Sequence, residues 1–420
     1  MITAREYGLR RENLLDKLPD GSIAVLFCGQ GRKKSGDENY DFEPNRNFYY
    51  LTGIDQENST LILCKGIGDS KEFLFIDEKK PDVEKWTGIR LSPEEATDKS
   101  GIKNVLLTGS FAGKLETFLS GKGFDKFSKL FLDLEPENKI DLEVTTKDFK
   151  KTIEKAHPEI TVENVYPLVA QLRMVKSQDE IEMIKEAIRT TEIGLLNAMK
   201  ELKAGKYEWN MRNVFEFHVF EEQDAGLAFH SIVASGENAT ILHYPNPKGV
   251  LKNGDLILFD VGANRDYYSA DISRTYPING KYTMLQKKIY KIVYDCNKAT
   301  QEFMRPGVTL DECKKFSKDF LAKECVAQGF IKSEDEITRV YYHGSTHHLG
   351  LDTHDAVDVY TKPLVPGNVI TCEPGLYFKE YGIGIRLEDD ILITPTGSIN
   401  LSSDILKKVE DIEKFLATRK

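Results

Sequence analysis

Four carboxylates interrupt otherwise apolar, strand-like runs in the second half of this chain, and any fold that buries those runs must supply counter-charge for them. Asp260 lies in GDLILFDVG, Asp271 in YYSADISRTYP, Glu373 in NVITCEPGLYF and Glu388 in GIGIRLEDDILIT. The first two runs flank a short polar turn, Asn264-Arg265-Asp266, and read as a hairpin. Side chains alternate along a strand, so two residues at odd separation across an even loop project from the same side. Asp260 and Asp271 meet that condition, and Glu373 and Glu388 repeat it on a second pair of runs, with Arg386 two residues before Glu388 on the same face. Unpaired, such groups would be driven to take up protons, because burial and like charge both disfavour the ionised form. Two divalent cations would balance four negative charges.

An imidazole would complete a mixed oxygen and nitrogen donor set of the kind that suits Mn, Co, Fe or Zn, with the oxygen excess tilting the choice toward Mn. Four of the chain's eight histidines fall in one stretch, HGSTHHLGLDTHD, so His343, His347, His348 and His354 are the candidates. Taken singly, an aspartate in a strand is an edge or turn residue and a histidine is a hydrogen-bonded core or surface group. The combination, in this order, points to a dinuclear hydrolytic site. A dinuclear phosphatase would also cluster carboxylates, but no basic or glycine-rich phosphate cradle accompanies these.

The remaining chain bounds the setting. At 420 residues two domains are expected, and we place them at 1–170, a mixed α/β domain, and 171–420. SIAVLFCG, NFYYLTGI, STLILCK, KEFLFID and KLFLDLE read as strands of the first domain. After a break near Tyr166-Pro167, residues 168–206 read as one long amphipathic helix with a capping box at Ser177 and Glu180 and a stop at Gly205. Two further helices follow, one ending at Arg305-Pro306-Gly307 and one opening at Thr309 with Glu312, and a surface helix closes the chain through Ile405, Val409, Ile412 and Leu416. A net charge of −10 argues against a nucleic-acid partner. No run approaches the ~18 apolar residues of a membrane span, and the charged amino terminus is unlike a signal peptide. The six cysteines show no CxxC pairing and several lie in apolar runs, as reduced core thiols of a cytoplasmic protein do.

These motifs resemble the pita-bread metallopeptidase family M24, which includes aminopeptidase P (Xaa-Pro aminopeptidase), prolidase and methionine aminopeptidase. LILFDVGA, ADISRTYP, STHHLGLD, TCEPGLY and IRLEDDI carry the likeness, as do SGENATILHY around His243 and, in the first domain, NYDFEPNRNFYYLTGI and WTGIR. The resemblance implies an aminopeptidase P-type α/β domain followed by an α+β pita-bread (creatinase/aminopeptidase-like) catalytic domain, and the first domain excludes the shorter methionine aminopeptidases. It assigns Asp260, Asp271, His347, Glu373 and Glu388 as ligands of two divalent ions, Mn2+ first, with Co2+ or Zn2+ as the alternatives. Within that set it has Asp271 and Glu388 bridge the ions, Asp260 chelate one and His347 with Glu373 hold the other.

It also makes Glu373 the general base or proton shuttle, and has His243, His343 and His354 polarise the carbonyl, stabilise the tetrahedral intermediate or bind the peptide, with Arg386 orienting a carboxylate. For each histidine a structural hydrogen bond is the other reading. The implied reaction is release of the first residue from peptides with proline second, the alternatives being a prolidase acting on Xaa-Pro dipeptides or a non-catalytic binding protein on the same fold. Phe229, Tyr244 and Tyr377 are candidate pocket residues, Tyr377 reading rather as core. His348 stands where relatives carry an aromatic residue and could reshape the pocket wall. Family members form dimers or tetramers in which the first domain covers a neighbour's site, a place for Trp86 unless it packs its own domain.

Overall fold

Most of the apolar runs of the first domain do pair into a sheet. The computed structural model describes residues 2–121, 127–134, 144–359 and 361–419 and divides into two compact units, Met1–Arg173 and Met174–Lys420. In the first, strands β1 (Ser22–Phe27), β2 (Thr60–Lys65), β3 (Ser70–Ile76), β4 (Val105–Leu107), β5 (Lys129–Leu132) and β6 (Thr161–Asn164) form one sheet in the order β4-β3-β2-β1-β5-β6. All pairings are parallel except those of β2, which runs against both its neighbours. Ile23, Val25, Ile62, Phe73 and Phe75 from these strands pack with Phe118 and Phe127 into one core.

NFYYLTGI is a helix, Arg46–Thr52, rather than a strand. Asn45 caps it by accepting the Phe48 amide at 2.9 Å, and Gly53 ends it in the left-handed region at φ 68°. Because Asn47 through Thr52 are all buried, no amphipathic period marks it. Trp86 does not pack in its own domain: it is 88% exposed on the helix Pro81–Thr87.

The sequence from 168 to 206 makes two helices, Tyr166–Met174 and Gln178–Glu201, rather than one. The capping box at Ser177 and Glu180 is present and starts the second of them. A helix at Glu208–Phe220 follows that no motif announced, while the boxes at Thr283 and Thr309 open helices Met284–Phe303 and Leu310–Ala327. The closing helix is short, Val409–Leu416, and Ile405 lies outside it.

Two long hairpins dominate the second unit, and each is interrupted at the point where carboxylates stand. In the first, β7 (Leu256–Val261) pairs with β10 (Ile272–Pro277), and β8 (Ala263–Arg265) continues in the same register against β9 (Tyr268–Ser269). The turn lies at Asp266-Tyr267, both at positive φ, rather than at Asn264–Asp266. Gly262 sits at the break opposite Asp271, where a Cβ would fall 1.9 Å from the Ala270 carbonyl oxygen. Only glycine allows that approach.

The second hairpin pairs β11 (Val369–Cys372) with β14 (Asp389–Thr394), and beyond the break β12 (Gly375–Phe378) with β13 (Ile383–Arg386). Pro374 has no amide to donate there, and the Glu388 amide turns to the Ser273 carbonyl of the first hairpin at 3.1 Å. The histidine-rich segment lies along β11, with the Glu373 amide donating to Ser345 O at 3.0 Å and the Thr371 amide to His347 O at 2.9 Å. Among the described residues no helix is long and apolar enough to cross a membrane, and all six cysteines are buried and free.

Candidate metal centre

These interruptions bring all four carboxylates and His347 to the wall of one cavity of about 710 Å³, which Phe229, His243, Tyr244, His343, His354 and Arg386 also line. Asp271, His347 and Glu388 form its tightest group, each offering one donor atom within 4.8 Å of the others. His347 Nε2 lies 3.4 Å from Asp271 Oδ2 and 3.7 Å from Glu373 Oε1. Its Nδ1 lies 3.0 Å from the His348 carbonyl, which can only accept, so Nδ1 donates there and Nε2 is the nitrogen turned toward the acids. Asp260 stands at the edge of this group, held by Arg386 Nη2 at 2.5 Å.

Ser273 was not anticipated from the sequence, yet it joins the set. Its hydroxyl donates to Glu388 Oε2 at 2.8 Å, accepts from Arg386 Nε at 2.8 Å and lies 3.3 Å from Asp260 Oδ1. Register explains it: Ser273 is the direct cross-strand partner of Asp260. Tyr377 is buried, as a core residue would be, but its hydroxyl accepts from Arg386 Nη1 at 3.0 Å and so donates to His343 Nε2 at 2.8 Å. That fixes the His343 proton on Nδ1, toward the Gly344 carbonyl at 2.6 Å. The His354 ring lies 4.1 Å from that of His347, centroid to centroid. His230 is a further cavity residue that no motif marked. His348 does not reshape the wall: it is buried away from the cavity, and burial followed by the charge of Lys176 lowers it to about 3.

Burial raises Asp271, Glu373 and Glu388 well above the carboxylate range, and their mutual charges with that of Asp260 raise them further. Burial likewise lowers His343 to about 3 and His354 to about 4, so both rings are neutral at pH 7. Four acids thus share one hydrogen-bonded cation, Arg386, leaving three negative charges without compensation when all are ionised. An arrangement of oxygen donors and one outward imidazole nitrogen fits divalent cations, and two of them supply enough charge where one does not.

The raised acids make the metal-free protein sensitive to pH in a definite direction. Their unfolded-state values are near 3.8 and 4.5, so above these the folded state binds more protons than the unfolded one. Stability contributed by the protonated forms is therefore present at low pH and lost as pH rises through the folded values. In calorimetry the chelated protein is expected to lose Tm as pH rises above the unfolded-state values, while metal-loaded protein holds or gains, since bound cations displace those protons. Parallel curves with and without metal would count against a shared cation site.

Comparison with known proteins agrees with this geometry. The model of metallopeptidase family M24 matches residues 182–395, and that of the aminopeptidase P N-terminal domain matches residues 7–125. The Xaa-Pro aminopeptidase of Escherichia coli K12 is 32% identical, with 100% of this chain and 99% of that protein aligned. A zinc-substituted E. coli aminopeptidase P in complex with product superposes with a TM-score of 0.90 at 30% identity, covering 100% of this chain and 99% of the other. A structure from Bacillus anthracis assigned as an aminopeptidase P is 43% identical with a TM-score of 0.97, covering 100% and 99%. Two matched models and these end-to-end likenesses show that the chain belongs to metallopeptidase family M24, with an aminopeptidase P-type domain ahead of its catalytic domain.

Proposed function

We propose that this chain is a divalent-metal aminopeptidase that releases the first residue from peptides with proline in the second position. The observation that carries the reading is the single cavity shared by Asp260, Asp271, His347, Glu373 and Glu388, in a chain aligned end to end with Xaa-Pro aminopeptidases. Those five residues would hold two cations, with oxygen donors favouring Mn2+ over Co2+ or Zn2+. Bound there, the cations supply a water of lowered pKa and a Lewis acid for the scissile carbonyl.

The chain's own groups do the rest. Glu373, next to both His343 and His347 at 3.5 and 3.7 Å, is placed to take a proton and pass it to the leaving nitrogen. Neutral His354, with His243, presents an imidazole to the carbonyl oxygen and the peptide, while His343, whose two nitrogens are held by Tyr377 and the Gly344 carbonyl, shapes the wall beside Glu373. Arg386 fixes Asp260 directly and Glu388 through Ser273.

A bond preceding proline ends in a nitrogen without N–H, so recognition by strand-like pairing loses a donor and a shaped pocket must compensate. Phe229, Ile232, Leu242, Tyr244 and Pro245 line one. An amino-terminal domain matched as aminopeptidase P type favours this activity over that of a prolidase. Exposed Trp86 suits a homo-oligomer, dimer or tetramer, and six buried free thiols suit the cytoplasm.

Metal-stripped protein reloaded with Mn, Co or Zn is expected to cleave an Xaa-Pro-Xaa tripeptide after its first residue, with Mn most effective. Cleavage of a Gly-Pro dipeptide with the tripeptide left intact would replace this reading with that of a prolidase.

A further inference from the structure

The cavity carries a second cation that the carboxylate cluster does not use. Lys314 lines it from the helix Leu310–Ala327, with its side-chain carbons 3.5 to 3.8 Å from the position a Cβ would take on Gly344. Gly344 adjoins His343, and His343 Nδ1 lies 3.5 Å from Glu373. Lys314 therefore shares the cavity with the acidic group without joining it.

Its ammonium has little to hold it. Asp311 is the acid within ion-pair reach among the described residues, at 3.8 Å, too long for a hydrogen bond and with both side chains substantially exposed. Arg386, the other cation on the wall, is buried and spent on Asp260, Ser273 and Tyr377. With the four carboxylates committed to metal and Arg386 to its own partners, an anionic group entering this cavity away from the cluster finds Lys314 as the available side-chain cation on its wall. On the same segment as Gly344, Thr346 also lines the cavity, buried, its hydroxyl without a hydrogen-bond partner among the described residues.

Every short peptide brings one anionic group of its own, the terminal carboxylate. In a tripeptide cut after its first residue that carboxylate lies two residues past the scissile carbonyl, roughly 7 Å along an extended chain. A four-carbon stem gives Lys314 the reach to meet it.

We propose that Lys314 anchors the C-terminal carboxylate of short substrates, so that this cleft favours free-acid Xaa-Pro-Xaa tripeptides over amidated or longer peptides. The inference rests on the Xaa-Pro reading above and adds a length preference to it. Lys314 is a binding residue at the far end of the substrate from the reacting atoms.

The test compares metal-loaded wild type, Lys314→Gln and Lys314→Arg on an Xaa-Pro-Xaa tripeptide, on its C-terminal amide and on a six-residue extension. Wild type is expected to prefer the acid to the amide about 10-fold in kcat/KM, expressed in KM, as loss of one charge-assisted hydrogen bond near solvent predicts. Lys314→Gln should bring that ratio close to 1, and Lys314→Arg should keep most of it, a rescue that loss of packing alone would not give. An acid-to-amide ratio of 1 in wild type, or a ratio unchanged in Lys314→Gln, would overturn the inference and leave the Xaa-Pro reading standing. Failure of wild type to cleave any of the three peptides would overturn both.

Discussion

Asp271→Asn is expected to lower turnover by more than about 1,000-fold while leaving the fold intact. Groups that merely orient a metal's ligands cost about 10- to 100-fold when removed, and Asp271 belongs to the tightest donor group in the cavity. Its carboxylate is buried and faces Asp260 and Glu373, so the amide removes a repelled charge from the metal-free protein. The variant without metal should accordingly be as stable as, or more stable than, the metal-free parent at pH 7 or above. Added metal should raise its Tm less than it raises that of the parent, because the differential affinity for the folded state has fallen. Elemental analysis, circular dichroism and steady-state kinetics on the tripeptide together separate these effects. Undiminished turnover, or full metal content with parental activity, would remove Asp271 from the proposed ligand set.

How much of this was legible in the sequence depended on whether a residue's neighbours along the chain or across the fold define it. Asp260, Asp271, Glu373 and Glu388 could be read because a charge inside an apolar strand is anomalous in one dimension. Their convergence followed from strand parity, which the observed registers share. The breaks in the ladders were less visible, although Gly262 and Pro374 mark them. Capping boxes at Ser177 and Thr309 were legible because both partners lie within four residues.

Other features were hidden for physical reasons. The helix Arg46–Thr52 is buried nearly all round and so has no 3.6-residue polarity to detect. Ser273 and Tyr377 are unremarkable locally, and their hydroxyls acquire meaning only where Arg386 is brought to both. Lys314 is likewise one of many lysines until the helix Leu310–Ala327 sets it beside Gly344. Among four clustered histidines, spacing alone left the ligand open, and it is the Nδ1 bond to a carbonyl that turns His347 Nε2 toward the acids.

The support beneath the cluster yields the other large effect. Ser273 and Glu388 point toward the carboxylate cluster, so by strand alternation their neighbours Arg274 and Asp389 face the opposite way, and both are wholly buried. Arg274 Nη2 meets Asp389 Oδ1 at 2.8 Å, and Arg274 Nη1 donates to the Glu388 carbonyl at 2.5 Å. Lys407 and Gln301 complete the shell around Asp389 Oδ2. Burial alone would raise the Asp389 carboxyl, but Arg274 and Lys407 outweigh it and hold the group below the carboxylate range. Asp389→Ala strands a buried guanidinium, and breaking such a pair costs about 3–5 kcal/mol, or a Tm loss on the order of 10 °C for a unit of this size. The sign with pH is opposite to that of the cavity acids. A depressed carboxylate stabilises above its unfolded value near 3.8 and loses that contribution as pH falls, so the variant should lack part of the parent's acid-side decline. Arg274→Met combined with Asp389→Leu removes both buried charges and is expected to recover some of the lost stability. Because the same guanidinium fixes the Glu388 backbone, Asp389→Ala should also lower kcat at temperatures where it remains folded. A stability change under about 1 kcal/mol in Asp389→Ala would show that this pair does not carry the sheet beneath the site.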